Sequence, residues 1–280
     1  KPPEHEYILM CMAAVGDPNK YYEDIKRDFI EMIPTRWNPY TLFKRNCHRG
    51  CLDWRPDLNT PQDYADIASA VQRIYEEIFD GLVLYTKYAT QQDNLVLMGG
   101  CALNCSANSI AYKYFKDVWI MPNPGDSGSA VGCVLAHWGH HIEWPGPYLG
   151  HEIKGEYPVE KILKQLHEKK ITAVASGRAE FGPRALGNRS ILADPRGNDV
   201  KDLVNSIKHR ESFRPFAPAI LSEHAGDYFT GYTGPYMQYT STCKRPDKFP
   251  AIVHYDDTSR VQTVSATDNV SISSVSIPGT

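Results

Sequence analysis

The chain has 280 residues, 42% of them hydrophobic and 22% charged, with a formal net charge of −3 at pH 7. That length holds two domains of ordinary size or one large one. The slightly acidic balance gives no sequence-wide basic field, which weighs against general nucleic-acid binding. No stretch approaches the roughly 18 apolar residues that a membrane span needs.

The opening residues lack the apolar core of a secretory signal, and seven cysteines do not make an even disulfide framework. A reducing cytoplasm is therefore expected. Cys11, Cys101 and Cys133 lie in apolar runs. The pairs Cys47 with Cys51 and Cys101 with Cys105 are spaced more loosely than most zinc knuckles. Residues 1–60 are proline-punctuated and irregular, with one short helix predicted near residues 21–32 and a basic patch from Lys44 to Arg49. They read as part of a domain that begins further upstream.

Residues 60–89 give the clearest helix. Thr60 can cap it, Pro61 suits its first position and Asp63 lies in its first turn. Tyr64, Ile67, Ala68, Val71, Ile74, Tyr75, Ile78 and Leu82 follow helical spacing and are expected to form its buried stripe. Alternation follows. Residues 94–98 and 118–121 read as strands, each closed by a Gly- or Pro-rich turn. Helices are predicted over 102–113 and 127–138. Strand, turn and helix, twice over, predict an α/β domain with a largely parallel sheet. A boundary is expected near residues 143–147, where Pro and Gly cluster. Beyond it come a helix over 159–170, a strand over 171–175 and a further strand over 249–254. The Ser- and Thr-rich tail from Val264 onward carries no strong pattern.

Three constellations carry chemistry. In Met98-Gly99-Gly100-Cys101-Ala102-Leu103-Asn104, two glycines after a strand permit a sharp turn and close ligand approach. Asn104 could bond a ribose or base edge, or could be an ordinary helix-surface residue. In Pro122-Asn123-Pro124-Gly125-Asp126-Ser127-Gly128-Ser129, small residues open a helix. The N–H groups around Gly125, Ser127 and Gly128 could face phosphate oxygens. Asp126 fits either a helix N-cap or a ligand to a metal ion beside the phosphates. Two such turns at successive strand ends would share one crevice.

The third is Gly177-Arg178-Ala179-Glu180-Phe181-Gly182-Pro183-Arg184-Ala185-Leu186-Gly187-Asn188-Arg189-Ser190, continuing to Arg196. From residue 180 to 196 nothing resembles a regular helix or strand. Crowded arginines suit a phosphate-bearing anion, since guanidinium forks match its oxygens two at a time. Asp194, Asp199, Asp202, Glu180 and Glu211 leave open a set of structural Arg–carboxylate pairs. A second basic group follows, with Lys208, Arg210 and Arg214 ahead of Pro215-Phe216-Ala217-Pro218. His137 and His141 stand four apart, but without an HExxH pattern they read as solvated or capping residues. Tyr228, Phe229, Tyr232, Tyr236 and Tyr239 could line a groove, but packing around a loop is the expected role.

Taken in order, "LVLMGGCALNCSAN", "WIMPNPGDSGSAVG", "GRAEFGPRALGNRSILADPR" and "KHRESFRPFAPAI" resemble the O-carbamoyltransferases of the NodU/CmcH family, from about residue 4 to about residue 264. The resemblance implies an α/β chain. Residues 1–147 would be the C-terminal part of an actin-like ATPase domain of the threonylcarbamoyl-transferase type. Residues 148–280 would be an incomplete YrdC-like α+β domain. It implies activation of carbamoyl phosphate with ATP as carbamoyl-adenylate, then transfer to a small hydroxyl-bearing acceptor. ATP with Mg(II), and Fe(II) or another divalent metal, are the implied cofactors.

On this chain, Gly99, Gly100 and Asn104 would hold adenosine and Asp126 would bind metal. Arg178, Arg184, Asn188, Arg189, Ser190 and Arg214 would surround carbamoyl phosphate or its adenylate. The chain departs from the family in three places. It has no His-x-x-x-His pair upstream of Gly99, carries Ile8 and Cys11 where Lys and Gly are expected, and has an unlike tail after Val264. A missing N-terminal region and a missing C-terminal segment are thus expected. Two further readings compete: a non-catalytic nucleotide-binding module, and a tRNA-modifying threonylcarbamoyl enzyme, which the acidity disfavours.

Overall fold

A computed structural model describes residues 6–46, 54–197 and 199–265. The expectations on the Cys47–Cys51 pair, on the basic patch from residue 47 and on the tail from residue 266 lie outside these. The chain divides into two compact units: Lys1–Val96 with Ser106–Trp119, and Leu97–Cys105 with Ile120–Thr280.

In the first unit, helix Pro61–Thr90 is the longest element. Thr60 accepts from the backbone N–H of Asp63, while the Asp63 carboxylate accepts from the Thr60 N–H. This reciprocal pair satisfies two of the donors that a helix start leaves open. Helix Tyr22–Phe29 packs beside it, and Tyr21, Tyr22, Ile25, Phe29, Ile30, Ile67, Ala70 and Ile74 form one core. The predicted stripe is partly displaced. Tyr64 and Leu82 are exposed, whereas every residue from Ala65 to Ala70 is buried. The reason is close backbone packing on that turn. A Cβ placed on Gly16 would stand 2.1 Å from the Ala65 carbonyl oxygen. Near the other end, Gly81 lets Pro34 approach in the same way.

The predicted 21–32 helix stops at Phe29, and Ile30–Met32 is a strand paired antiparallel with Leu42–Phe43. Strands Asn94–Leu97 and Asp117–Ile120 form as expected and lie side by side. They make a two-stranded sheet among the described residues, not an extended parallel one. The single helix predicted over 102–113 breaks into three short turns, Gly100–Leu103, Cys105–Asn108 and Ser109–Lys113. Asn104, at ψ 86°, interrupts the helical path.

In the second unit, Glu152–Ile153 pairs antiparallel with Gly177–Arg178. Ile171–Ala175 pairs antiparallel with Arg189–Ala193, in register from Ile171↔Ala193 to Ala175↔Arg189. Five residues of the arginine-rich run that looked irregular, Arg189–Ala193, are thus a strand. Helix Val159–Lys169 buries Ile162 and Leu166 against Val174 of this hairpin. Helix Asp199–Ile207 sets Val200 and Val204 against Ala251. The strand expected over 249–254 is absent. Pro246 and Pro250 fit turns instead, and Phe249, Ala251, Ile252 and Val253 enter the core from them. Ala219–Leu221 pairs in parallel with Gln262–Val264. No regular element covers residues 143–147, where a boundary was expected, and the two compact units divide elsewhere.

Candidate functional site

The three motifs come together inside the second unit. The Gly99 N–H donates to the Pro124 carbonyl at 2.8 Å, which ties the first Gly-rich turn to the second. A Cβ on Gly125 would lie 4.0 Å from the Gly100 Cα. The arginine loop rests on the same turn, since a Cβ on Gly182 would stand 3.0 Å from the Pro122 carbonyl oxygen. A narrow cleft results. Ala102, Leu103, Met121 and Pro122 line it together with Arg184 and Tyr236.

Gly99 holds φ +91°, a conformation that favours glycine. Gly100 needs its lack of a side chain for neither φ nor packing, because a Cβ there would meet nothing within 4 Å. Its surface is open, as a ligand-facing backbone requires. Asn104 closes this turn, its N–H bonded to the Cys101 carbonyl.

Gly128 serves packing. A Cβ would stand 1.8 Å from the Asn123 carbonyl oxygen, and the Gly128 N–H donates inward to Gly125 at 2.9 Å. That N–H does not face outward, against the expectation drawn from sequence. The Ser127 hydroxyl also turns inward, donating to Asn123 Oδ1 at 3.0 Å. Asp126 is exposed at the start of the turn Asp126–Gly128, which leads into helix Ser129–Trp138. Neither element has a side-chain cap, so the capping alternative for Asp126 falls away.

The arginines divide by task. Arg196 grips the buried Asp194 with two bonds of 2.8 Å, and Lys170 joins at 3.0 Å. These bonds, Arg196 foremost, hold the Asp194 carboxyl well below the usual carboxylate range. Arg189 donates to the carbonyls of Ser176, Asn188, His151 and Gly177, at 2.7 to 3.2 Å. Four of its five N–H donors are thereby used on backbone. Arg178 is exposed and donates to Leu149 at 3.3 Å. Arg184 stands in the cleft wall.

Asn188 is buried, donates to the Arg178 carbonyl at 2.8 Å, and leaves its Oδ1 without a partner. Ser190 Oγ accepts from the Gly187 N–H at 3.0 Å. Arg214 belongs to a separate basic segment. It pairs with Glu211 at 3.2 Å, and its carbonyl is held by the buried Asn205. Arg210 bonds Asn205 at 2.6 Å and lies over the Phe216 ring. Burial, with Arg210 and Arg214 nearby, pushes the Lys208 ammonium pKa down.

Sequence reasoning preferred packing to a groove for Tyr236, yet Tyr236 lines the cleft, and it placed no site on Met237 or Gln238 beside it. Met237 holds φ 56°, a strained value for a non-glycine residue. Gln238 Nε2 bonds the Ile120 carbonyl. No sequence signal marks Gln238, because its role depends on a contact 118 residues away.

Residues 3–135 match the family model Carbamoyltransferase N-terminus, and residues 163–275 match Carbamoyltransferase C-terminus. The chain belongs to the carbamoyltransferase family. It is 32% identical to nodulation protein NolO of Bradyrhizobium diazoefficiens, over 94% of this chain and 55% of that protein. It is 40% identical to nodulation protein U of Sinorhizobium fredii, over 61% of this chain and 34% of that one. It is 31% identical to the 3'-hydroxymethylcephem-O-carbamoyltransferase of Amycolatopsis lactamdurans, over 93% of this chain and 53% of that enzyme. The chain spans about half the length of the relatives it matches most fully. The sequence resemblance to NodU/CmcH-type O-carbamoyltransferases is thus borne out.

Proposed function

We propose that this carbamoyltransferase chain activates carbamoyl phosphate with ATP and passes the carbamoyl group to the hydroxyl of a small acceptor. The observation that carries the reading is the meeting of both Gly-rich turns and the arginine loop at one cleft, with Arg184 in its wall. An actin-like ATPase part and a YrdC-like part remain the architecture that this reading assumes.

Carbamoyl phosphate gives carbamate and inorganic phosphate by taking up water. A carbamate oxygen then attacks the α-phosphorus of ATP and releases pyrophosphate. The acceptor oxygen finally displaces AMP at the carbamoyl carbon and loses its proton. Each phosphate step gathers negative charge that a guanidinium offsets. In this reading Arg184 and Arg178 meet the anion, with Asn188 and Ser190 beside them. Arg189 holds the loop from behind. Arg214 supplies charge from the second basic segment. Gly99, Gly100 and Asn104 face the nucleotide, and Gly125, Ser127 and Gly128 shape the turn beneath it.

Magnesium would accompany the ATP phosphates. Asp126 offers one exposed carboxylate to a divalent metal such as Fe(II). The described residues contain no group of three His, Cys, Asp or Glu side chains placed to hold a metal ion. They do not by themselves fit a complete metal centre. No helix among the described residues is long and apolar enough to cross a membrane. The free thiols and the need for ATP favour a cytoplasmic setting.

The test is pyrophosphate release from ATP with and without carbamoyl phosphate. Release that depends on carbamoyl phosphate is expected. A folded chain that binds ATP yet releases none in either condition would favour the non-catalytic binding-module reading.

A further inference from the structure

Glu180 sits at the foot of the arginine loop and has been given no role in the chemistry above. Its Oε1 accepts from three successive parts of the loop: the N–H groups of Leu186 at 2.7 Å, Asn188 at 2.9 Å and Arg189 at 3.3 Å. Leu186 and Asn188 are buried and Arg189 is half-buried, so the first two donors have little access to water. A buried N–H without an acceptor carries a large desolvation cost, and a carboxylate is among the strongest acceptors a protein owns.

The loop's carbonyls are met with equal care from the other side. The Tyr148 hydroxyl and Gln262 Nε2 both donate to the Leu186 carbonyl, at 3.2 and 3.1 Å. The Tyr157 hydroxyl donates to the Gly187 carbonyl at 3.2 Å. Burial, with the Glu180 charge nearby, pushes the Tyr157 pKa up to about 12, so it remains a donor at neutral pH.

We infer that Glu180 is a positioning residue. Its carboxylate folds residues 186–189 around itself and so presents Arg184 and Asn188 to the anion. The inference rests on the reading of the cleft as the carbamoyl-phosphate site. It assigns Glu180 no contact with substrate. A carboxylate facing a dianion would repel it, and the role assigned to Glu180 is instead to accept from three backbone N–H groups through Oε1.

The experiment uses the 280-residue chain. Amide hydrogen exchange is followed at Leu186, Asn188 and Arg189 in the wild type, in Glu180→Ala and in Glu180→Gln. Affinities for carbamoyl phosphate and for ATP are measured separately. In Glu180→Ala the three amides should exchange at least about 100-fold faster, while the amides of Ile171–Ala175 keep their protection. Carbamoyl phosphate should bind about tenfold or more weakly, with ATP affinity unchanged. Glu180→Gln keeps the size and one acceptor oxygen without the charge, so it should fold and fall between the two.

Unchanged exchange at the three amides would overturn the inference. So would equal loss of both ligands, which marks general unfolding, or released amides with undiminished carbamoyl-phosphate binding. A wild-type chain that binds ATP but no carbamoyl phosphate would instead overturn the reading of the cleft, and the positioning role with it.

Discussion

Arg189 and Arg184 stand five positions apart in a run that sequence alone treats as one cationic group, yet their surroundings separate them. Arg189 donates to four backbone carbonyls of the second unit, so its removal unties the segments around residues 151, 176–177 and 188. Arg189→Ala should lower stability by about 2–4 kcal/mol in a denaturant titration, as the loss of charge-assisted bonds to buried acceptors does. Arg184→Ala should act chiefly on carbamoyl-phosphate binding, weakening it about tenfold or more. The reverse pattern would exchange their assignments. Gly100→Ala is a second residue-scale test. Its Cβ enters open space, so stability should hold within about 0.5 kcal/mol. ATP affinity, measured by calorimetry, should fall if nucleotide lies against that backbone. Undiminished affinity would remove the nucleotide from this turn.

Among the elements, helix Pro61–Thr90 was the most legible, because its start signal is entirely local. Thr60, Pro61 and Asp63 define its beginning wherever the rest of the chain goes. Thr60→Ala should cost about 1 kcal/mol, read as a lower midpoint in denaturant without a change in slope. A loss below a few tenths would mean that tertiary packing alone sets the helix start. The 102–113 segment shows the opposite case. Its composition allows a helix, but the first turn is tied to Pro124 through Gly99, and Asn104 leaves the helical region. The 249–254 segment is apolar enough for a strand, yet turns at Pro246 and Pro250 bury the same residues without a ladder. Strand Arg189–Ala193 went unseen because its partner, Ile171–Ala175, decides it.

Across the whole molecule, several carboxylates held below their usual range shape the response to acid, Asp63 and Asp194 most strongly. The Thr60 and Tyr21 hydroxyls draw the Asp63 pKa down to about 2. Arg196, then the Arg196 N–H and Lys170, hold Asp194 below the usual range. Both groups are depressed in the folded state. Their contribution is therefore complete above the unfolded carboxylate value of about 4 and is lost as pH falls through the folded values. Asp194→Asn should lower stability at pH 7 by about 2 kcal/mol, since Lys170 and Arg196 are themselves half exposed. It should also flatten the loss of stability below about pH 4. A variant as acid-sensitive as the wild type would exclude Asp194 as a source of that slope. At this scale the compact units interleave along the chain, exchanging segments at residues 96–97, 105–106 and 119–120. A cluster of Pro and Gly at 143–147 cannot reveal that, because it reports local backbone freedom and not long-range contact.

By itself the sequence determined what depends on neighbours along the chain: the long helix and its cap, both Gly-rich turns, the strand over 171–175, and the family itself, carried by motifs such as GPRALGNRS. It also confined positive charge to the right segments. Only the tertiary structure decided what each charge meets. Arg196 closes on Asp194, Arg189 on carbonyls, and Arg184 on the cleft, although the three are chemically identical. The reason is physical. A guanidinium binds whichever acceptor burial places within about 3 Å, and that acceptor is chosen by contacts far away in sequence. Glu180, Tyr148, Tyr157 and Gln262 reach the loop from such distances, so no local pattern could have named them together.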